Sequence, residues 1–252
     1  MNPRKLLFAF LLLEGTLCFA QSEFLTTHIE KVYEQSGMKC IYVIDFPVCG
    51  EGPLKVTVLN LIQNVFSEPD KQPDFQVADL RSMEESIKAD ADSVLSEMGE
   101  DQGPWTRIVE ISRISEGKKY ICYKHLYSES DASMYPFTQT FVIRKIDGKF
   151  IDVLKNGGSK GFFKLLSKNF SSYLYENYGQ DNRSFLAECI KERPEIIDFN
   201  LEESDYCWID DDYLYIGYGQ TSLAHVHGIQ SLRIPIKDAK PYMSSEIKKL
   251  LK

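Results

Sequence analysis

Residues 105–146 limit the fold of this chain most tightly. Three strand candidates, Trp105–Ile114, Lys119–Tyr127 and Phe137–Ile146, follow one another on short connections. "EGKK" at 116–119 and "DGK" at 147–149 carry turn chemistry, and a shorter strand is predicted over Phe150–Leu154. Consecutive strands on short turns pair antiparallel, as a meander.

Helical patterns come in blocks on either side. Leu54–Phe66 has Leu54, Val58, Leu61, Ile62 and Val65 at helical spacing, and Pro69 and Pro73 close it. Val77–Met98 is the clearest helix, with Val77, Leu80, Met83, Ile87, Ala91, Val94, Leu95 and Met98 on one stripe. Its other face carries Glu84, Glu85, Asp90, Asp92 and Glu97, the pattern of a solvated face. Ser159 can cap a helix over 160–178, another begins near Asn182 or Ser184, and Ser244–Leu251 is a terminal helix. "CIYVIDFPVC" alternates as a strand that Pro47 ends. "YCWIDDDYLYIGYG" is a hairpin with Asp210, Asp211 and Asp212 in its turn, and Ser231–Ile234 is a last strand. Residues 21–37 form a short N-terminal segment with one helix, Thr27–Gln35. This order predicts an α+β fold, helices packed on an antiparallel sheet. The domain covers residues 38–252, in halves 38–115 and 116–252.

The first twenty residues predict export. Arg4 and Lys5 precede an apolar run, Leu6–Leu13, too short to span a bilayer. Cleavage is placed between Ala20 and Gln21, which predicts a periplasmic or secreted protein with no membrane span after cleavage. Acylation of Cys18 is the alternative, and Leu17 is larger than a lipoprotein signal prefers. The net charge is −8, and losing Arg4, Lys5 and Glu14 makes it −9. Such a chain offers no basic surface to nucleic acid or to an anionic membrane. A cationic protein or a neutral glycan is the better electrostatic match.

Five cysteines follow the leader, at irregular spacings and without a CxxC pair. They read mostly as buried thiols acting as small apolar residues. Cys189–Cys207 is the one candidate disulfide. Cys40 and Cys49 stand at opposite ends of one strand, too far apart to bridge.

Several motifs occur in a suggestive order: "GKFIDVL" after strand Phe141–Ile146, a helix, the Tyr206–Tyr218 hairpin, then Gly228 seven residues before Pro235 in "LRIPIKDAKPYM". In the first half a strand ending in Pro47 precedes a helix containing Asn60. Together these resemble an extracytoplasmic family of unknown function, found in RsiV anti-sigma factors and beside the catalytic domain of PdaC peptidoglycan deacetylases. The resemblance spans roughly residues 38–250. It implies an RsiV-like α+β domain of a bacterial cell envelope that recognises a protein or a glycan and is not an enzyme. The family's Gly-Gly-Ala-His turn is absent. "YSESDASMY", Tyr127–Tyr135, stands in its place.

Candidate binding residues follow from this reading. His225 and His227 in "LAHVHG" share a face if extended, and without a third ligand at useful spacing they suit a recognition surface better than a metal site. Tyr218, Tyr127 and Tyr135 join them as candidate ligand-binding residues, since tyrosines on strands either pack or present flat amphipathic surface. No HExxH, GxSxG or phosphate-loop pattern occurs, and no metal or cofactor is expected. An envelope glycan hydrolase using Glu110, Asp152 or Asp205 and a structural subunit of an envelope complex are the alternatives. "NFS" at Asn169 and "NRS" at Asn182 matter only in a host that glycosylates asparagine.

Overall fold

The computed structural model describes residues 24–50, 52–66, 79–97, 104–130, 137–155, 159–175, 206–218 and 231–251. Its first element corrects the sequence reading. Residues Thr26–Gln35 form a strand, β1, not a helix. It pairs antiparallel along its whole length with β2, Met38–Pro47. Ser36 (φ 53°) and Gly37 (φ 84°) make the two-residue connection. Both in the left-handed region is the signature of the turn that matches the twist of a hairpin. The strand escaped detection because it lies at the sheet edge and only Ile29 is buried, so it has no clear apolar face. Ladder pairing with β2, rather than periodicity, holds it.

β2 buries Met38, Cys40, Tyr42, Ile44 and Phe46 on one face. Helix α1 follows, Pro53–Val65, then α2, Leu80–Glu97. Proline suits the first turn of α1, where its missing N–H leaves no bond unmade. Asp79 and Ser82 cap α2 reciprocally: the Ser82 N–H donates to Asp79 Oδ1 at 2.8 Å and the Asp79 N–H to Ser82 Oγ at 3.1 Å. The chain then enters β3, Trp105–Glu116, which runs parallel to β2 in the register Met38–Trp105 to Ile44–Ile111. β4 (Tyr120–Ser130) and β5 (Phe137–Arg144) continue antiparallel, giving the order β1-β2-β3-β4-β5. The fold is α+β as the sequence predicts. The larger sheet is mixed rather than wholly antiparallel, because two helices intervene between β2 and β3 and allow a crossover.

A second sheet has the order β6-β9-β8-β7, all antiparallel. Its strands are β6 (Leu174–Tyr175), β7 (Tyr206–Ile209), β8 (Tyr213–Gly217) and β9 (Ser231–Pro235). Around it lie α3 (Lys160–Tyr173), α4 (Ile236–Ala239) and α5 (Ser245–Leu250), α5 capped by Ser244. Helix α3 ends five residues short of expectation, where the chain enters β6. The strand expected over Phe150–Leu154 is reduced to two isolated bridges, Ile143–Phe150 and Leu154–Met243. Ile151, Val153 and Leu154 are instead anchored in the core between the sheets. The helix predicted from residue 182 lies outside the described residues.

The period of two along β4 divides the interior. Ile121 and Tyr123 join the core under α1 and α2, while Tyr120 and Cys122 join the core under the second sheet. A bulge between Arg113 and Ser115 adjusts the β3 register here. Ser115 Oγ then donates to the Ile209 carbonyl at 2.5 Å, and Thr140 Oγ1 to the Cys207 carbonyl at 2.7 Å. The Asp210–Asp212 turn makes a third tie. Tyr120 donates to Asp211 Oδ1 at 3.0 Å, and Asp210 accepts from the Asp212 and Tyr213 N–H groups and from the Tyr215 hydroxyl.

On the helix side, Asp90 of α2 accepts from Tyr42 at 2.6 Å and pairs with Arg107 of β3 at 3.1 Å. Arg107 is 13% exposed and its guanidinium lies 5.5 Å from the centre of the Tyr127 ring. Asp90→Asn leaves this largely buried cation only its longer pair with Glu129, at 3.7 Å, and takes the acceptor from Tyr42; it is expected to cost about 2–3 kcal/mol. Asp92→Asn removes only an exposed pair with Lys88 and is expected to cost under about 0.5 kcal/mol. Urea unfolding of the two variants checks the contrast.

Gly148 (φ 66°) ties the β5 turn to α1. A Cβ there would sit 2.5 Å from the Pro53 carbonyl oxygen and 2.6 Å from Thr57 Oγ1. Gly148→Ala is expected to destabilise by about 2 kcal/mol or more, read in the same unfolding experiment.

Candidate functional site

Two helices packed side by side span about 20 Å, while five strands span about 24 Å. Helix α2 is bonded to β1, β2 and β3 through Glu84–Lys31, Asp90–Tyr42 and Asp90–Arg107. Among the described residues the β4–β5 margin faces α1, and a groove of about 480 Å³ lies between them.

Helix α1 supplies one wall. Thr57, Asn60, Leu61, Asn64 and Val65 fall on a single stripe at spacings of three and four. Asn60 and Asn64 are exposed, whereas Thr57 is held by its hydroxyl, which donates to the Gly148 carbonyl at 2.9 Å. The strands supply the floor and the other wall. His125 of β4 stands in register between Ile111 of β3 and Gln139 of β5. Phe141 of β5 and Phe150, 5.6 Å apart between ring centres, close the apolar end, and Phe150 is 55% exposed.

His125 is the unusual residue. Its ring meets the edge of Phe137 at 6.2 Å. Burial holds its pKa below the ordinary imidazole value, so the neutral ring is favoured. Its Nε2 is buried and has no hydrogen-bond partner. A buried polar atom left in this way costs about 1–3 kcal/mol.

Among the described residues the lining holds three amides, one hydroxyl and one imidazole between apolar side chains, and nothing charged. Such a set donates and accepts hydrogen bonds but supplies no carboxylate pair and no nucleophile–base pair. The thiols sit elsewhere. Burial raises the pKa of Cys40, pushes Cys122 to about 11 and pushes Cys207 to about 12, so their reactive thiolates are disfavoured. Among the described residues no group of three or more His, Cys, Asp or Glu could hold a metal ion.

Of the ligand-binding residues predicted from sequence, Tyr127 and Tyr218 are described, and they lie apart. Tyr127 lies two positions from His125 on the same strand face, but burial, aided by the hydrogen bond its hydroxyl donates to Glu129, pushes its pKa to about 12. Tyr218 is fully buried in the core under the second sheet, so its expected place on a ligand surface is corrected: it packs. Tyr135, His225, His227, Cys189, Cys18, Ala20 and Gln21 lie outside the described residues. Cys207 packs against the same core as Tyr218. Glu110 accepts from Ser112 Oγ at 2.5 Å and pairs with Lys124 at 2.8 Å, Asp152 is exposed, and Asp205 lies outside the described residues.

The tyrosine-rich hairpin is largely occupied with itself. Trp208 and Tyr215 stack 4.6 Å apart at 3°, Tyr206 follows at 5.8 Å, and Arg233 lies 4.6 Å over Tyr213. Tyr120 and Tyr123 are buried.

Sequence reasoning passed over His125, Asn64 and Gln139. Their signals were present: Asn60 and Asn64 repeat at i, i+4 on one helix, and His125 interrupts an otherwise aromatic face between Tyr123 and Tyr127. What sequence lacked was the pairing that sets α1 opposite β4 and β5.

No protein-family model matches the chain, and no curated protein matches it. Among solved structures its fold is similar to a member of the DUF3298 family from Bacteroides fragilis, at 13% identity and a TM-score of 0.56, with 92% of this chain and 97% of that one covered. It is also similar to a DUF3298 family protein from Pseudomonas aeruginosa, at 13% identity and a TM-score of 0.52, covering 90% and 95%. The chain thus shares its α+β fold, over nearly its whole length, with proteins of the DUF3298 family.

Proposed function

We propose that this chain is an exported, non-catalytic recognition module of the bacterial cell envelope, and that it takes its protein or glycan ligand in the groove between α1 and β4–β5. The observation that carries this reading is the lining of that groove. Neutral hydrogen-bonding side chains surround a histidine nitrogen left without a partner, with phenylalanine rings at one end. Small-ligand sites share this make-up, mostly apolar walls with a few convergent polar groups, and a volume of about 300–1,000 Å³.

Two further features support the reading. The N-terminal residues have the charge and apolar length of a cleaved leader. Among the described residues no helix is long and apolar enough to cross a membrane. A module with net charge −8 would meet its ligand without electrostatic capture of nucleic acid.

The purified chain, immobilised, is expected to retain a specific component of an envelope extract. Asn60→Ala with Asn64→Ala removes two exposed amides without touching a core, and retention is expected to fall about tenfold or more. Full retention by the double variant, or turnover of peptidoglycan or ester substrates by the wild-type chain, would contradict the reading.

A further inference from the structure

Resting on the groove as the ligand site, we infer that its occupant is a neutral saccharide unit and that His125 is the anchor at its floor. Asn60 and Asn64 stand one helical turn apart, about 6 Å along α1. Each amide offers donors and an acceptor, and Gln139 offers the same from the opposite wall. A hydroxyl is both donor and acceptor, so a ring bearing several hydroxyls meets every amide in either sense. Charged ligands fit poorly. Among the described residues nothing on the lining compensates an ion for the water it loses on entry.

The apolar end completes the match. Phe141 and the exposed Phe150 present tilted rings, which suit the C–H face of a sugar. His125 meets the polar face. Its backbone is fixed by ladder pairing to β3 on one side and β5 on the other, so the imidazole is presented without a loop to order. Its Nε2 has no hydrogen-bond partner but is itself buried, so it reaches a ligand hydroxyl only once the ring turns toward the groove; burial keeps the ring neutral, able to donate or accept according to tautomer. The Thr57–Gly148 hydrogen bond and the close fit of Gly148 on Pro53 tie the β5 turn to α1 beside the groove. A short unit is thereby favoured over a long peptide threaded through.

Calorimetric titration tests this. The purified chain is titrated with neutral disaccharides built on glucose, galactose, mannose and N-acetylglucosamine, with a uronic-acid disaccharide, and with a peptidoglycan stem peptide. At least one neutral disaccharide is expected to bind, and the uronic acid at least tenfold more weakly. Asn64→Ala and His125→Phe are each expected to weaken the neutral sugar tenfold, with His125→Gln restoring part of the loss. Asn64 is exposed on its helix, so its variant keeps the test valid if His125→Phe fails to fold. Sugar binding undiminished by Asn64→Ala overturns the inference. Binding of the stem peptide alone, lost in Asn64→Ala, overturns the saccharide but leaves the module standing. Failure of every probe, together with full retention of envelope components by the Asn60 and Asn64 double variant, overturns both.

Discussion

The parallel pairing of β2 with β3 is the constraint on which the rest of the main layer depends. Parallel neighbours cannot be joined by a tight turn, so the chain must leave the sheet, cross it and return. Here α1 and α2 make that crossing, and both bury their apolar stripes on the face that carries Tyr42, Ile44, Val109 and Ile111. With both helices committed to one face, the C-terminal half is left the other. Tyr120, Cys122 and Val142 accordingly point toward the second sheet, where Ile209, Leu214, Ile216 and Ile234 meet them.

The same crossing leaves the groove. Polar contacts hold α2 over β1–β3, above all the grip of Asp90 on Tyr42 and Arg107. Burying a cation in this way adds little net stability, since desolvation consumes most of the attraction. Its effect is positional, because in any other placement of α2 a largely buried Arg107 would keep only its longer pair with Glu129. Helix α1 must then lean on the far margin of the sheet, where the Gly148 turn receives its first residues. His125 and Gln139 lie where the helix layer runs out. Fold and candidate site are consequences of one packing geometry.

Much of this was legible in the sequence. The stripe from Leu80 to Leu95 and the alternation from Cys40 to Pro47 define their elements because each has one strongly apolar face. The Asp210–Asp212 run was readable as a turn, since short acidic side chains accept from backbone N–H groups two and three residues on. β1 was not legible, because an edge strand with one buried residue has little periodicity to show. The groove was not legible either. It depends on register, which sets His125 beside Gln139, residues fourteen apart, and on a crossover that brings Asn60 across to them. Tyrosines attract attention by number, yet Tyr120, Tyr123 and Tyr218 are core residues.

The described residues form a two-sheet scaffold in which the groove between α1 and β4–β5 is lined by neutral, amide-bearing side chains and is aromatic at one end. Proteins of the DUF3298 family share the scaffold, and the lining is where this chain's own chemistry resides. The most direct measurement is an amide chemical-shift map of the isotopically labelled chain titrated with solubilised envelope glycan. The account expects saturable shifts grouped at residues 57–65, 125, 139–141 and 148–150. Shifts confined to the β7–β9 hairpin face, with the α1 wall and His125 unmoved, would contradict it.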